Sequence, residues 1–300
     1  MLGSEFITTY ARKGYVAWEA AALELARQAL LTPWPWVDLP LSNGSDTAVL
    51  KVASDVLSVG SLTDYVRLPL TPNMAQSILN LSGSLLTTPW LEYQIYRAAP
   101  AKLPPTAMVP NRYADLEQYA AHSRIVDEQI AALGPSVSPN TLRTGLKKGV
   151  VIGNLFKTGK VLIFGWYGPP PRPDLFDDHR AMGSVDRQPV QPYSNLHGDF
   201  YVDYSHGIRA VAPMCTVNGQ PMATAELYTH PTLSRLVSHE GPLKRLRYPS
   251  TVTVASLPPS VTAAPWAMRG FFEAMPPDAP LSHSMTEWGL ESIARQWTGR

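Results

Sequence analysis

His197, Asp203, Ser205 and His206 place two imidazoles, a carboxyl and a hydroxyl in one short run, HGDFYVDYSHGIRAV. Three kinds of chemistry fit these residue types. The H-x5-D-x2-H spacing of His197, Asp203 and His206 supplies ligands for Zn²⁺ with a position open for water, which is the arrangement of metal-assisted hydrolysis. Ser205 would be a nucleophile if a histidine took its proton. Its neighbour His206 points the other way on a strand, so His197 or the distant His239 would have to serve. Tyr204, His206 and Arg209 make a metal-free set for a sugar polymer, with tyrosine and histidine exchanging a proton and arginine neutralising a substrate carboxylate. A fourth reading involves no reaction: a polar strand beside a proline-rich loop binds a carbohydrate or peptide. The inert counterpart of all four is a core histidine oriented by Asp203.

The elements around the run must position these groups. Pro192 to Asn195 and Gly198 are turn formers, and Phe200 to Tyr204 is aromatic and β-branched, so a strand is expected there. On it Phe200, Val202, Tyr204 and His206 would share one face, and Tyr201, Asp203, Ser205 and Arg209 the other. Gly207 marks a bulge that would re-aim Ser205, His206 or Arg209. Lys147 and Lys148 precede the buried-strand pattern Val150–Ile152; they are solvated edge residues or they hold an anionic substrate. Glu240 is a helix-end residue or a general base. With Tyr204 and Arg209, these three make the expected substrate-binding set.

Composition narrows the function classes. Of the 300 residues, 45% are hydrophobic, enough for a real core, and only 16% are charged against about 25% in an ordinary soluble domain. A net charge of +1 leaves no electrostatic footprint for nucleic acid or an anionic membrane. There is no apolar run of membrane-spanning length, so no membrane partner is expected. The single cysteine, Cys215, excludes an internal disulfide framework and reads as a buried, inert thiol. No phosphate-binding loop, no dinucleotide fingerprint after a strand and no HExxH helix occurs, so no nucleotide cofactor is expected. The opening residues 1–6 read as a segment appended by cloning.

Along the chain, residues 8–31 read as one helix stopped by Pro33 and Pro35. Thr71-Pro72 and Thr88-Pro89 each start a helix, with threonine as the cap and proline at the first helical position. Residues 115–133 form another helix, and 226–237 a short one. Val150–Ile152 and Val161–Trp166 form a hairpin, and Asn218-Gly219 is a second hairpin turn. Residues 168–189 are a long proline-rich loop of the kind that often carries function. Helices dominate 8–133 and strands 145–256, which predicts an α+β fold: an N-terminal helical part packed on a mainly antiparallel sheet. The expectation is one domain over 8–256, followed by a proline-rich tail, 257–300, with a terminal helix over 287–297.

Three runs carry a resemblance: Lys147-Lys148-Gly149-Val150-Val151, Phe164-Gly165-Trp166, and Tyr201 to Arg209. Over about residues 60–250 the chain resembles an uncharacterised bacterial protein family with runs like KKDVV, YGW and YVDYSHGIR. Gly149 stands where that pattern has aspartate. The resemblance implies no activity. The H-x5-D-x2-H spacing is also loosely similar to that of some peptidoglycan-cleaving metallopeptidases, without their motif. The functional expectation is a secreted or periplasmic hydrolase of a cell-wall, polysaccharide or peptide substrate. Its expected catalytic residues are His197, Asp203, Ser205 and His206. The alternative is a non-catalytic carbohydrate- or peptide-binding module.

Overall fold

The computed structural model describes residues 1–108, 115–167 and 189–254. The tail 257–300, its terminal helix and nearly all of the loop 168–189 lie outside the described residues. Two helices open the chain, α1 (Gly3–Tyr10) and α2 (Tyr15–Arg27). The single helix expected over 8–31 is therefore broken, because Gly14 interrupts it. Phe6 of α1, in the segment that reads as appended, is fully buried in the core.

The strands β1 (Trp36–Ser42), β2 (Thr47–Ala53), β3 (Ser58–Gly60) and β4 (Tyr65–Arg67) follow. Next come α3 (Pro72–Leu81), β5 (Leu85–Leu86), α4 (Pro89–Ala98) and β6 (Ala101–Lys102). Both proline-started helices begin where the sequence puts them. At α4 the Thr88 hydroxyl accepts from the Leu91 N–H at 3.1 Å. At α3 the Thr71 hydroxyl makes no such cap. It donates instead to Glu19 of α2 at 3.0 Å, which ties the two helices together. Then follow α5 (Leu116–Ala132), β7 (Arg143–Thr144), β8 (Lys148–Val150), β9 (Ile163–Gly165), β10 (Gln191–Ser194), β11 (His206–Gly207) and β12 (Ala210–Val211). The described chain closes with β13 (Met214–Val217), β14 (Gln220–Ala223) and α6 (Thr224–Thr229). The last helix expected over 226–237 is thus shorter, with a 3₁₀ turn at Leu233–Leu236 behind it.

The fold is α+β with mostly antiparallel sheets. The larger sheet runs β14-β13-β2-β12-β5, with β1 beside β2. It takes strands from both the early and the late chain, so the two parts are interleaved through one sheet. A core of buried residues runs continuously from Phe6 to Tyr248. The second sheet, β10-β9-β8-β11, is the one that positions the site. Its hairpin β8–β9 matches the expectation, and β11 adds to it in parallel, pairing His206 with Lys148 and Gly207 with Gly149. Helix α4 packs on it through Tyr93 and Tyr96, which meet Val151, Phe164, Tyr167 and Tyr193.

The strand expected over Phe200–Tyr204 is not formed; only His206 and Gly207 of that run pair with β8. The reason is local competition. The Asp203 carboxylate accepts from the Ser205 backbone N–H at 2.8 Å, and the Asp203 carbonyl accepts from the His206 N–H at 3.1 Å. This side-chain-closed turn takes the backbone out of the extended conformation.

Candidate functional site

Asp203 sits at the centre of its turn and accepts from Tyr201 and Ser205. Tyr201 donates its hydroxyl at 2.9 Å, and Ser205 donates both its backbone N–H and its hydroxyl. Burial works against its charge, but His206, the Ser205 donors and Lys148 outweigh burial and hold the carboxyl at about 2. The Ser205 proton therefore points at a carboxylate and not at an imidazole, which is not the nucleophile geometry expected for it. His206 is fully buried, and neither of its ring nitrogens has a hydrogen-bond partner among the described residues. Burial lowers its pKa to about 4. Exposed His197 stacks on the Tyr201 ring at 4.0 Å, and Tyr201 tilts against His206 at 5.6 Å. Among the described residues no group of three His, Cys, Asp or Glu is close enough to hold a metal ion, so His197, Asp203 and His206 are not gathered as the expected zinc ligands.

This arrangement has a measurable consequence. A histidine held neutral in the fold is protonated first in the unfolded chain. Stability from His206 is then complete above the unfolded pKa near 6.5 and is lost as the pH falls towards about 4. The decline is expected to be roughly 3 kcal/mol at most. His206→Asn should show a shallower decline in urea midpoints between pH 7 and pH 4.5. An unchanged slope would mean that the ring is hydrated.

The two lysines point apart, as neighbours on a strand must. Lys148 is partly exposed, with its ammonium 5.5 Å from the centre of the Trp166 ring. Lys147 is not a solvated edge residue: it is buried, and its amine donates to the Tyr204 carbonyl and to His122 Nδ1 at 3.1 Å. Burial brings this lysine down to about 7. His122, on α5, has its other nitrogen 3.2 Å from the Thr106 carbonyl, so the network places its proton on Nε2. The Tyr204 hydroxyl donates to the Met108 carbonyl at 2.8 Å and accepts from the Met108 N–H, pinning that segment. Glu240 lies apart from these groups. It accepts from the Asn154 N–H at 3.0 Å and from the Tyr193 hydroxyl at 3.3 Å, fastening the turn after β8.

A small concave feature lies beside the β8–β11 pair and is lined in part by Lys147. Gly149, Gly207, Gly145, Trp166, Tyr167, Glu92 and Arg209 are among the residues lining this narrow cleft. Glu92 comes from the first turn of α4 and reaches across β8. A Cβ at Gly149 would stand 2.9 Å from its carboxyl carbon, so the missing side chain at 149 is the space that Glu92 occupies. The Thr87 hydroxyl donates to Glu92 at 2.6 Å. Burial raises the Glu92 pKa above the usual carboxylate value, with Arg209 and Thr87 opposing the rise. Arg209 is 4% exposed and is fixed by donating to the Ala53 and Arg143 carbonyls. Trp166 holds a left-handed backbone, φ 63°, and its ring N–H donates to the Gly145 carbonyl at 2.9 Å. Such strain in a residue without conformational licence is found most often where a site requires it. The Tyr167 hydroxyl is buried with no hydrogen-bond partner among the described residues.

Of the residues picked from sequence, the cleft takes Arg209 and Lys147. Glu92 was missed: it is an ordinary acid in a helix, and nothing near it in the chain points to β8. Compared with known proteins, the chain matches no family model, no curated protein and no solved structure.

Proposed function

We propose that the protein hydrolyses a cell-wall or other polysaccharide, with the scissile bond in the Gly149–Gly207 cleft and Glu92 as the proton donor. The observation that supports this reading is the Glu92 carboxyl itself. It is half-buried, burial raises its pKa above the usual carboxylate value, and it faces a fixed guanidinium without forming an ion pair within 4 Å among the described residues. A carboxyl whose pKa is shifted in this direction suits general acid catalysis. In the step, the bond from the anomeric carbon to the bridging oxygen breaks, and that oxygen takes the Glu92 proton. A water oxygen bonds to the anomeric carbon, and the proton it sheds goes to solvent, from which Glu92 is recharged.

A second reading, a non-catalytic carbohydrate- or peptide-binding module, is favoured by one fact. Glu92 is the one acid among the described residues that line the cleft, whereas glycosidases ordinarily use two. Incubation with peptidoglycan and with neutral and acidic polysaccharides, followed by assay of new reducing ends, separates the two. Release from at least one substrate is expected. Binding with no release from any would replace the enzyme by the binding module.

A further inference from the structure

We propose that the edge formed by residues 153–160, 195–201 and 240–245 docks on an anionic phospholipid surface, with Leu196 and Phe200 entering the boundary between headgroups and acyl chains. This edge shares no lining residue with the Glu92 cleft, so it stands or falls apart from the hydrolase reading.

Leu196 and Phe200 are 79% and 73% exposed, the two most exposed large hydrophobic side chains among the described residues, and they share one short turn. Leu155, 43% exposed, belongs to the loop fastened to that turn. The Asn195 side chain donates to the Leu155 carbonyl at 2.9 Å, the Lys160 amine to the Leu196 carbonyl at 3.0 Å, and the Asp199 N–H to the Gly159 carbonyl at 3.0 Å. The apolar tip is thus already ordered before it meets a partner. Apolar side chains scattered singly on a surface are ordinary, whereas a cluster of them marks an interaction site.

The charges around the tip select the partner. The three segments carry four cations, Lys157, Lys160, Lys244 and Arg245, against two acids, Asp199 and Glu240. Asp199 accepts from the Asn73 side chain at 3.0 Å, and Glu240 accepts from Asn154 and Tyr193, so both acids are engaged within the protein. Lys244 is tied to this edge by its N–H, which donates to Asn154 Oδ1 at 2.9 Å, and the Arg245 guanidinium lies 4.8 Å from the centre of the Phe156 ring. Protruding leucine and phenylalanine with lysine and arginine beside them suit a fluid, negatively charged interface, which takes up side chains without a matching recess. The chain's net charge of +1, which by itself points to no membrane partner, averages over this local excess.

The test is cosedimentation of the full chain with vesicles of phosphatidylcholine alone and of phosphatidylcholine mixed with phosphatidylglycerol. Binding to the mixed vesicles is expected to be tenfold or more tighter than to the neutral ones, and to weaken as added salt screens the charges. The double variant Leu196→Ser, Phe200→Ser should lose tenfold or more in affinity for the mixed vesicles with an unchanged melting temperature, since both side chains lie in water. Lys157→Glu with Lys244→Glu should weaken binding and flatten its salt dependence. If a variant fails to fold, the comparison of the two vesicles in the wild type still decides. No binding to the mixed vesicles, or equal binding to both kinds, overturns the assignment. Full binding by the double serine variant also overturns it, because the protein would then adsorb by charge alone.

Discussion

Asp55→Ala is expected to cost about 3–5 kcal/mol of folding stability, the range found when one partner of a buried ion pair is removed. Asp55 is fully buried and is the hub of a network joining distant parts of the chain. Its carboxylate accepts from Arg67 Nε at 3.0 Å, from an Arg67 terminal nitrogen at 2.8 Å, from Arg143 at 3.0 Å and from the Val56 N–H at 2.7 Å. Alanine would leave two guanidinium groups facing each other in the interior. The neighbouring Arg209 adds to the same positive field. Burial raises the Asp55 pKa, but Arg67, Arg143 and Arg209 overcome it and bring the carboxyl down to about 2. The sign follows: the folded pKa lies below the unfolded value of 3.8, so this stabilisation is present above about pH 4 and is lost as the pH falls towards 2. Urea denaturation at pH 7 measures the loss. Adding Arg67→Met should cost much less in the Asp55→Ala background than in the wild type, because the two side chains act as a pair. A loss below about 1 kcal/mol would show that the network is hydrated and not buried as described.

Glu92→Gln is expected to lower kcat/KM on the cleaved glycan by roughly 10²–10⁴-fold, the contribution of a well-placed general acid. The fold should survive, since glutamine keeps an oxygen for the Thr87 hydroxyl and fills the same space over Gly149. The pH behaviour separates this role from a structural one. Burial raises the Glu92 pKa above its ordinary 4.5, so wild-type activity should persist above the usual carboxyl range and fall as the pH passes the raised value. The same shift works against stability. In the window between the ordinary and the raised pKa the folded chain holds a proton that the unfolded chain has lost, so stability declines as the pH rises through it. The Gln variant should lack both the basic limb of the rate profile and that decline. Full activity in Glu92→Gln, with melting unchanged, would remove Glu92 from the reaction.

Several features were legible without any structure, because they are decided within a few residues. The starts of α3 and α4 follow from Pro72 and Pro89 at the first helical position, where the missing N–H has no cost. The β13–β14 hairpin follows from Asn218 and Gly219, both of which take positive φ in the turn. The helix-to-strand drift along the chain gave the α+β class, and the clustering of polar groups over 197–209 drew attention to the strand beside the cleft. The same local logic misled where a stronger local competitor was overlooked. Asp203 closes a turn on Ser205, and the aromatic strand expected over Phe200–Tyr204 never forms.

What remained depends on contacts between residues far apart in the chain, which no local pattern encodes. The parallel pairing of His206-Gly207 with Lys148-Gly149 decides which lysine goes inward and which lies over Trp166. A glycine at 149 is uninformative in the sequence. It acquires meaning only when α4 packs on β8 and Glu92 enters the space that a side chain would have filled. Arg209 looks like Arg67 and Arg143 as a letter; its difference is that tertiary packing gives Asp55 to the other two. Burial sets the charge states as well, raising Glu92 and lowering Lys147 and His206, because removal from water disfavours whichever form is charged. The composition supplied the groups, and only the packing of distant segments determined which of them are desolvated, which are paired, and which line the small cleft.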